Sequence, residues 1–242
     1  MTYTVIGRCP RTHQIGIAVA TYSVAFGSFA QGAHNAYGVA MSQANGRRAN
    51  APLAQSLLQQ GLSSKSVLAT LVQNDTHESH RQIGVMTRNG LGAVHTGASV
   101  QGWAGAKIGG DYTIFGNVLA GEHVLTAMEA TFQETEAQPL VERLICALES
   151  GRDAGGQAVK DRQLTERSAC VVVMDRKSYA AWDLRVDLHR TAVEELRRIY
   201  SLYKPYQPYY EDREEDPSSC PTQLAWEREN LTTAHLQETL KS

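Results

Sequence analysis

The order of strand-like and helix-like segments constrains the fold of this chain more than any other feature of its sequence. Alternating β-branched and apolar residues predict strands at residues 2–8 and 14–21, which form a hairpin, and a third strand at 36–43. A pair of helices, more strands, a second helix pair, another hairpin and a closing helix follow. This order is not the strand–helix alternation of a doubly wound parallel sheet. It predicts an α+β fold with two sheets, each covered by its own helix pair.

The remaining elements follow from periodicity and from turn residues. The first helix pair is predicted at residues 52–60 and 64–72, with Ser63 or Ser64 capping the second helix. The stretch 151–167 is polar and is predicted as a loop. Further strands are predicted at 81–86, 92–95, 100–104, 112–115, 168–175 and 178–186, and further helices at 121–135, 139–150 and 191–203.

The composition changes after residue 203. Four of the seven prolines, three tyrosines and an acidic run lie within residues 204–221, which predicts a linker or an arm that lies on a neighbouring subunit. Leucines at amphipathic spacing predict a short helix at 222–240. We therefore divide the chain into a domain of residues 1–203 and an arm-plus-helix segment of residues 204–242, and we expect a homo-oligomer.

Charge is distributed unevenly along the chain. The first 74 residues contain five basic residues and no acidic one, whereas all 25 acidic residues lie from Asp75 onward. The net charge of −2 and the scattered bases argue against a nucleic-acid surface. The positive bias of the first 74 residues favours a small-molecule substrate that carries a carboxylate.

Several classes of protein and of site are excluded on sequence grounds. No apolar run approaches the ~20 residues of a transmembrane helix, and the N-terminus does not have the pattern of a signal peptide, so no membrane association is expected. The glycines do not have dinucleotide-binding or phosphate-loop spacing, so no cofactor is predicted. His77 and His80 lie in a polar segment and are interpreted as a solvated turn instead of a metal site. The four cysteines are far apart and indicate free thiols in the cytoplasm: Cys9, Cys146, Cys170 and Cys220.

Thr2 is the residue with the most informative chemistry. Initiator methionine is removed when the next residue is small, so we expect the mature chain to begin at Thr2. An N-terminal threonine combines a hydroxyl nucleophile with an α-amine of unperturbed pKa ~7.7–8.0, which can serve as its general base. Many proteins begin with Met-Thr and are not enzymes, but here Thr2 opens a predicted hairpin strand.

A series of short motifs runs in order along the chain: residues 2–8 (TYTVIGR), 16–20 (GIAVA), 38–43 (GVAMSQ), 81–82 (RQ), 96–97 (TG), 104–105 (AG), 116–117 (GN), 183–187 (DLRVD) and 195–198 (ELRR). Together these motifs resemble the bacterial "domain of unknown function 1028" family, which is placed in the N-terminal nucleophile (Ntn) hydrolase superfamily. The resemblance spans residues 2–203. It implies a four-layer αββα sandwich and a threonine nucleophile, Thr2, with no known substrate.

One segment departs from the family pattern. After the glutamine that corresponds to Gln43, the family usually has Asn-Pro followed by Tyr-Gly, whereas this chain has residues 44–52 (ANGRRANAP). If this loop borders the pocket, the substrate preference differs from the family norm.

The resemblance also implies partners for the nucleophile. Threonine-type Ntn enzymes commonly place an Asp and a Lys opposite it, but the corresponding strands here offer only neutral groups: Thr21, Ser23, Ser42 and Gln43. We therefore predict a neutral hydroxyl and amide network, with Thr21 and Ser42 next to the nucleophile and Asn117 as the oxyanion donor. Ordinary backbone capping is the alternative for Ser42, Gln43 and Asn117.

Substrate binding is assigned to residues that flank this network. Arg47, Arg48 and Arg81 are predicted to hold a carboxylate as bidentate donors, although for any single one of them a solvated surface arginine is the more common case. Ser23, Gln43 and Gln82 complete the predicted substrate site.

Two functions from different classes follow. The first is an Ntn-type hydrolase that cleaves a small amide or acyl substrate with Thr2. The second is a non-catalytic ligand-binding or assembly protein on the same fold, favoured by the missing Asp and Lys. A third interpretation gives the main role to residues 204–242, as an arm that docks on another subunit.

Overall fold

The computed structural model describes residues 1–34, 37–160 and 162–239. The strands in these residues are β1 (Thr2–Cys9), β2 (Gln14–Thr21), β3 (Ala33–His34), β4 (Gly38–Ala44), β5 (Arg81–Thr87), β6 (Gly90–Thr96), β7 (Trp103–Ile108), β8 (Tyr112–Leu119), β9 (Gln157–Val159), β10 (Arg162–Leu164), β11 (Ser168–Met174) and β12 (Ala180–Val186). The α-helices are α1 (Asn50–Gln59), α2 (Ser64–Gln73), α3 (Glu122–Glu134), α4 (Leu140–Asp153), α5 (Ala192–Tyr203), α6 (Tyr206–Glu215), α7 (Gln223–Asn230) and α8 (Thr233–Thr239), with short 3-10 helices at Phe26–Gly32 and Glu78–His80.

The strands form two antiparallel sheets. The larger sheet has the order β10-β9-β8-β1-β2-β11-β12, with β7 also paired to β8, and the smaller sheet has the order β3-β4-β5-β6. β1 therefore lies inside the larger sheet, between the hairpin strand β2 and the distant strand β8. The predicted α+β class with antiparallel sheets is confirmed.

Apolar side chains join the two sheets and attach the helices to them. One cluster lies between the sheets, and the alternate residues of β4 and β5 face α1 and α2 instead, as the two-residue period of a strand requires. α3 and α4 contact β1, β2, β7 and β8 of the larger sheet. The cluster between the sheets includes Ile6, Ile17, Phe115, Met41 and Met86, and that under α1 and α2 includes Ala40, Ile83, Val85, Leu58 and Leu71.

The chain divides into two compact units, Met1–Leu196 and Arg197–Ser242. The second unit is built around aromatic rings: the Tyr209 and Trp226 rings stack with centroids 4.8 Å apart, and the Tyr209 hydroxyl donates to the Pro221 carbonyl at 3.0 Å. Across the described residues of both units, every helix is too short or too polar to cross a bilayer.

Several predicted elements need correction. Residues 151–167, predicted as a loop, contain β9 and β10, which are three residues each and so too short to show a period. The strand predicted at 100–104 begins only at Trp103, because Gly102 has a φ of 67° and breaks the extended backbone. The predicted cap is confirmed: the Ser63 side chain accepts from the Ser66 amide.

The segment after residue 203 is more helical than predicted. α6 lies within the supposed linker, and the single helix predicted at 222–240 is two helices, α7 and α8. α6 buries only Tyr206 and Tyr209, so its residues show no amphipathic period that could have indicated a helix. The third strand was predicted to begin at Ala36 and the last helix to end at Leu240, and both residues lie outside the described residues.

Candidate functional site

Thr2 begins the strand that runs through the interior of the larger sheet. Its register partners are Thr21 on β2 and Asn117 on β8. Directly opposed residues of antiparallel strands share a face, so the three side chains lie side by side on the face that meets the smaller sheet. All three are at most 2% exposed. The structure therefore brings together three of the four predicted catalytic residues.

Hydrogen bonds connect the hydroxyls of Thr2 and Thr21 to the carbonyl of the first peptide bond. The Thr21 hydroxyl donates to the Met1 carbonyl oxygen at 2.6 Å, and its oxygen accepts from the Ser23 amide at 3.2 Å. Thr2 Oγ1 lies 3.0 Å from Thr21 Oγ1. A hydroxyl has one proton, and that of Thr21 points to Met1, so Thr2 is the donor in this pair. The proton of the Thr2 hydroxyl is thus directed to a neutral oxygen.

The Met1 α-amine is affected by the same burial. Desolvation lowers the pKa of this amine from its ordinary value of 8.0 to about 6. The Met1 amine is therefore mainly neutral at pH 7 and can accept a proton.

A chain of buried amides connects the two sheets next to Thr2. Thr4 shares the face of Thr2 and donates from its hydroxyl to Gln43 Oε1 at 2.6 Å. Gln43 Nε2 donates to Gln82 Oε1 at 2.8 Å, and Asn117 Nδ2 donates to the same oxygen at 3.1 Å. These four side chains are at most 1% exposed. Gln43 and Gln82 therefore belong to a buried network that ends at the neighbour of Thr2.

Gln82 fixes the orientation of Asn117. Gln82 Nε2 donates to the Gly116 carbonyl at 2.9 Å and to Thr96 Oγ1 at 3.0 Å, so its Oε1 must be the atom that faces the other amides. The Asn117 nitrogen consequently turns to Gln82, and Asn117 Oδ1 has no partner among the described residues. A contribution from Asn117 to an oxyanion would have to come from the second proton on Nδ2.

The two predicted serines are placed differently from the threonines. Ser42 lies on the face of β4 opposite to Gln43, where its Oγ accepts from the Arg47 amide at 3.0 Å and from Asn50 Nδ2 at 3.4 Å. It stabilises the loop after β4 and is not brought to Thr2. Ser23 is exposed, and its carbonyl accepts from the Ser168 hydroxyl at 2.8 Å.

Arg81 is held by a carboxylate. Its Nε lies 3.0 Å from Asp75 Oδ2. Burial alone would raise the pKa of the Asp75 carboxyl, but hydrogen bonds from Arg81 and the His77 amide hold that pKa below its ordinary value. The Arg81 charge is therefore already compensated.

Arg47 and Arg48 line a cavity of about 260 Å³ with Ser28, Phe29 and Pro52. The Arg48 guanidinium lies 4.7 Å from the centre of the Phe29 ring and donates to Ser28 Oγ at 3.2 Å. Within the described part of the chain, neither arginine lies within ion-pair distance of a carboxylate. Among the described residues, the cavity thus has two guanidinium groups that are not in an ion pair, although the Arg47 charge also helps to lower the pKa of the Asp75 carboxyl.

Two features of the site were not anticipated from the sequence. Thr4 could have been found, because a residue two positions after Thr2 shares its face. Val118 could not: it follows Asn117 as a β-bulge with a φ of 54°, which is unusual for a β-branched residue and has no sequence signal. In the part of the chain that the structure describes, no three His, Cys, Asp or Glu residues are arranged to hold a metal ion.

The fold and site define a two-sheet α+β protein in which the second residue of the chain lies in a buried polar cluster. The model of the "Family of unknown function (DUF1028)" matches residues 2–196, and the chain belongs to this family. Among solved structures, it is similar to the crystal structure of protein SPO2555 from Silicibacter pomeroyi, described under the same family model. The two are 23% identical, with a TM-score of 0.75 over 84% of this chain and 89% of that one, which shows a shared fold. A comparison with curated proteins gives no significant match.

Proposed function

We propose that this protein is a cytoplasmic hydrolase of the N-terminal nucleophile superfamily, with the four-layer αββα arrangement of that superfamily. Thr2 is the nucleophile after Met1 is removed, and the substrate is a small amide or acyl compound. The observation that carries the proposal is the placement of Thr2 on an interior strand, with its hydroxyl 3.0 Å from Thr21 Oγ1 and Asn117 opposite.

In the proposed reaction, the free α-amine of Thr2 accepts the proton of its own hydroxyl while Oγ1 attacks the substrate carbonyl. The tetrahedral intermediate collapses to an ester on Thr2, and the leaving amine takes the proton from the α-ammonium. Water then attacks the ester while the α-amine accepts its proton, and the α-ammonium returns that proton to Thr2 Oγ1 as the acid leaves. Thr2 is 2% exposed, and burial of its amine after Met1 leaves would favour the neutral form that accepts the proton.

Removal of Met1 also changes the role of Thr21. The Thr21 hydroxyl now donates to the Met1 carbonyl oxygen, and this acceptor leaves with Met1. Its proton then becomes available for Thr2 or for the substrate. Thr21 is thus proposed to orient the nucleophile without carrying charge.

The cavity at Arg47 and Arg48 is also lined by Ser42, on the face of β4 away from Gln43, and is proposed to bind a carboxylate remote from the scissile bond. Guanidinium groups bind carboxylates as bidentate donors, and these two are not in an ion pair among the described residues. The proposed substrate class is therefore a small amide that carries a carboxylate away from the scissile bond.

The test is intact mass together with a matched set of variants. Native protein should lack Met1, and a screen over N-acyl amino acids, small amides and lactams should find turnover that falls on the order of a thousandfold or more in Thr2→Ala. Thr2→Ser keeps a hydroxyl and should retain part of the activity. Thr126→Ala, an exposed threonine on α3, is the control and should not change it.

Two outcomes would contradict the proposal: native protein that retains Met1, or turnover that survives Thr2→Ala. A rise in melting temperature with ligand but without turnover would instead favour the ligand-binding alternative. That alternative has one observation in its favour, since both register partners of Thr2, Thr21 and Asn117, are uncharged.

A further inference from the structure

A second cavity, of about 340 Å³, lies against the N-terminal residue itself. Its volume falls within the range of small-molecule sites. Besides Met1, its lining is mainly apolar and includes Trp103, Val118, Leu119 and Val159, with Lys160 among the polar residues. Trp103 is 37% exposed and Val159 is 45% exposed, so the cavity leaves apolar surface open to water. Such surface is stabilised when an apolar group covers it.

The cavity is shaped by an irregularity in β8. Trp103 lies opposite Leu119 and Ala104 opposite Asn117, so Val118 has no partner on β7 and forms a bulge. The φ of Val118 is 54° and that of Gly102 is 67°, and a Cβ on Gly102 would lie 3.0 Å from the Val118 Cα. Bulges and strained residues are concentrated at binding and catalytic sites because they redirect side chains.

This irregularity lies directly beside the nucleophile. Val118 follows Asn117, which is the register partner of Thr2, and Met1, bonded to Thr2, lines the cavity. Removal of Met1 therefore extends the open space to the Thr2 α-amine.

We propose that this cavity binds the apolar part of the acyl group that Thr2 attacks, and that Met1 obstructs it until it is removed. This assignment rests on the proposed function. The chemical class of the substrate is thus an amide with a short alkyl or comparable apolar acyl group.

The experiment measures binding separately from turnover. Thr2→Ala protein is prepared with its chain starting at residue 2, and again with Met1 retained, and acetamide, butanamide and hexanamide are titrated by calorimetry. Burial of each added methylene should lower the dissociation constant about fourfold in the trimmed protein. The protein that retains Met1 should bind hexanamide at least about tenfold more weakly.

A filling variant tests the location. Val159→Trp places a large ring in the cavity from an exposed position and should abolish the dependence on chain length, whereas Leu188→Trp, at a leucine that is 66% exposed, should not change it. Unchanged binding in Val159→Trp, or equal affinity for the three amides, would overturn the assignment. If affinity depends on chain length but turnover does not depend on Thr2, the proposed function is contradicted and the apolar pocket stands. If turnover depends on Thr2 but affinity does not depend on chain length, the apolar pocket is contradicted and the proposed function stands.

Discussion

Gln82 is the residue on which the polar network next to Thr2 depends. It accepts from two amides with one oxygen and donates to a carbonyl and a hydroxyl with its nitrogen, all without exposure to water. A buried polar group costs free energy only when a partner is missing, so the network is stable while Gln82 is present. Replacing this one side chain leaves several other buried groups unpaired.

We expect Gln82→Leu to lower the free energy of unfolding by about 2–3 kcal/mol, because Gln43 Nε2, Asn117 Nδ2 and the Gly116 carbonyl each lose a partner. Urea denaturation measures the change. Gln59→Leu, on the exposed end of α1, makes the same substitution without a buried partner and should stay within about 0.5 kcal/mol of the native protein. Equal stability of the two variants would show that the network does not contribute.

The buried N-terminal amine predicts a pH dependence for the protein that retains Met1. Its pKa is about 6 in the folded chain and near 8.0 in the unfolded chain, so between these values the unfolded chain binds more protons. Stability should therefore rise as the pH increases from 6 to 8, by up to about 2 kcal/mol, and be lost as the pH falls through 6. Chemical denaturation at several pH values measures this slope.

The control for the pH prediction is the same protein with an acetylated N-terminus. Acetylation removes the titrating group, whereas the eight histidines of the chain contribute equally to both forms. The same slope in both proteins would mean that the amine has an ordinary pKa.

Sequence reasoning identified part of this site for a simple reason. A hairpin that starts at residue 2 must place Thr2 opposite a residue near 21, so Thr21 could be predicted. Asn117 was predicted as the residue after Gly116 in a tight turn, but it lies within β8, where it pairs with Thr2. Ser42 and Gln43 were predicted together, although successive residues of a strand point to opposite faces. Only Gln43 reaches the network, and the position of Gln82 depended on the pairing of β4 with β5, which one sequence does not reveal.

At the level of elements, the bulge in β8 is supported by the glycine that faces it. Gly102 and Gly61 both have positive φ, but only at Gly102 would a Cβ approach another backbone atom, the Cα of Val118. The two positions therefore separate the effect of backbone conformation from the effect of crowding.

We expect Gly61→Ala to cost about 1 kcal/mol and Gly102→Ala about 1 kcal/mol more, because both strain the backbone and only the second displaces Val118. Thermal and urea unfolding of the two variants measure the difference. Gly102→Ala should also weaken hexanamide binding in the trimmed protein, whereas Gly61→Ala should not. A smaller cost at Gly102 than at Gly61 would mean that the bulge moves freely.

The elements that could be predicted were those long enough to show a clear pattern of apolar residues. α4 repeats its apolar residues over fourteen positions, and β11 is apolar after its first residue, Ser168, so both were found from the sequence. β9 joins the sheet because Gln157 pairs with Leu119 of β8, and β10 pairs with β9. These are tertiary contacts that strands of three residues do not reveal in their sequence. The sequence likewise does not reveal that β8 is the second neighbour of β1.

On the scale of the whole molecule, the uneven distribution of charge along the sequence brings basic residues together at one cavity. In the acid-free first 74 residues, Arg47 and Arg48 meet at one cavity, and the nearby Asp75 is bound to Arg81. This arrangement predicts selectivity for ligands that carry a carboxylate.

We expect an N-acyl amino acid to bind Thr2→Ala protein about tenfold more tightly than its methyl ester, because the ester cannot accept two charge-assisted hydrogen bonds. Arg48→Met should remove most of this difference, and Arg176→Met, at an exposed arginine after β11, should not. Calorimetry measures both. Equal affinity of acid and ester in the unchanged Thr2→Ala protein would count against a carboxylate site.

The interior position of β1 limits when Met1 could be removed. Once the sheet has formed, the bond between Met1 and Thr2 has its carbonyl held by Thr21 and its second residue 2% exposed, so a peptidase cannot take it into its active site. In the proposed mechanism, Met1 must therefore leave before β8 has been synthesised and paired with β1. A chain that folds before Met1 is removed would then remain inactive, so the active fraction of the protein would be determined during translation.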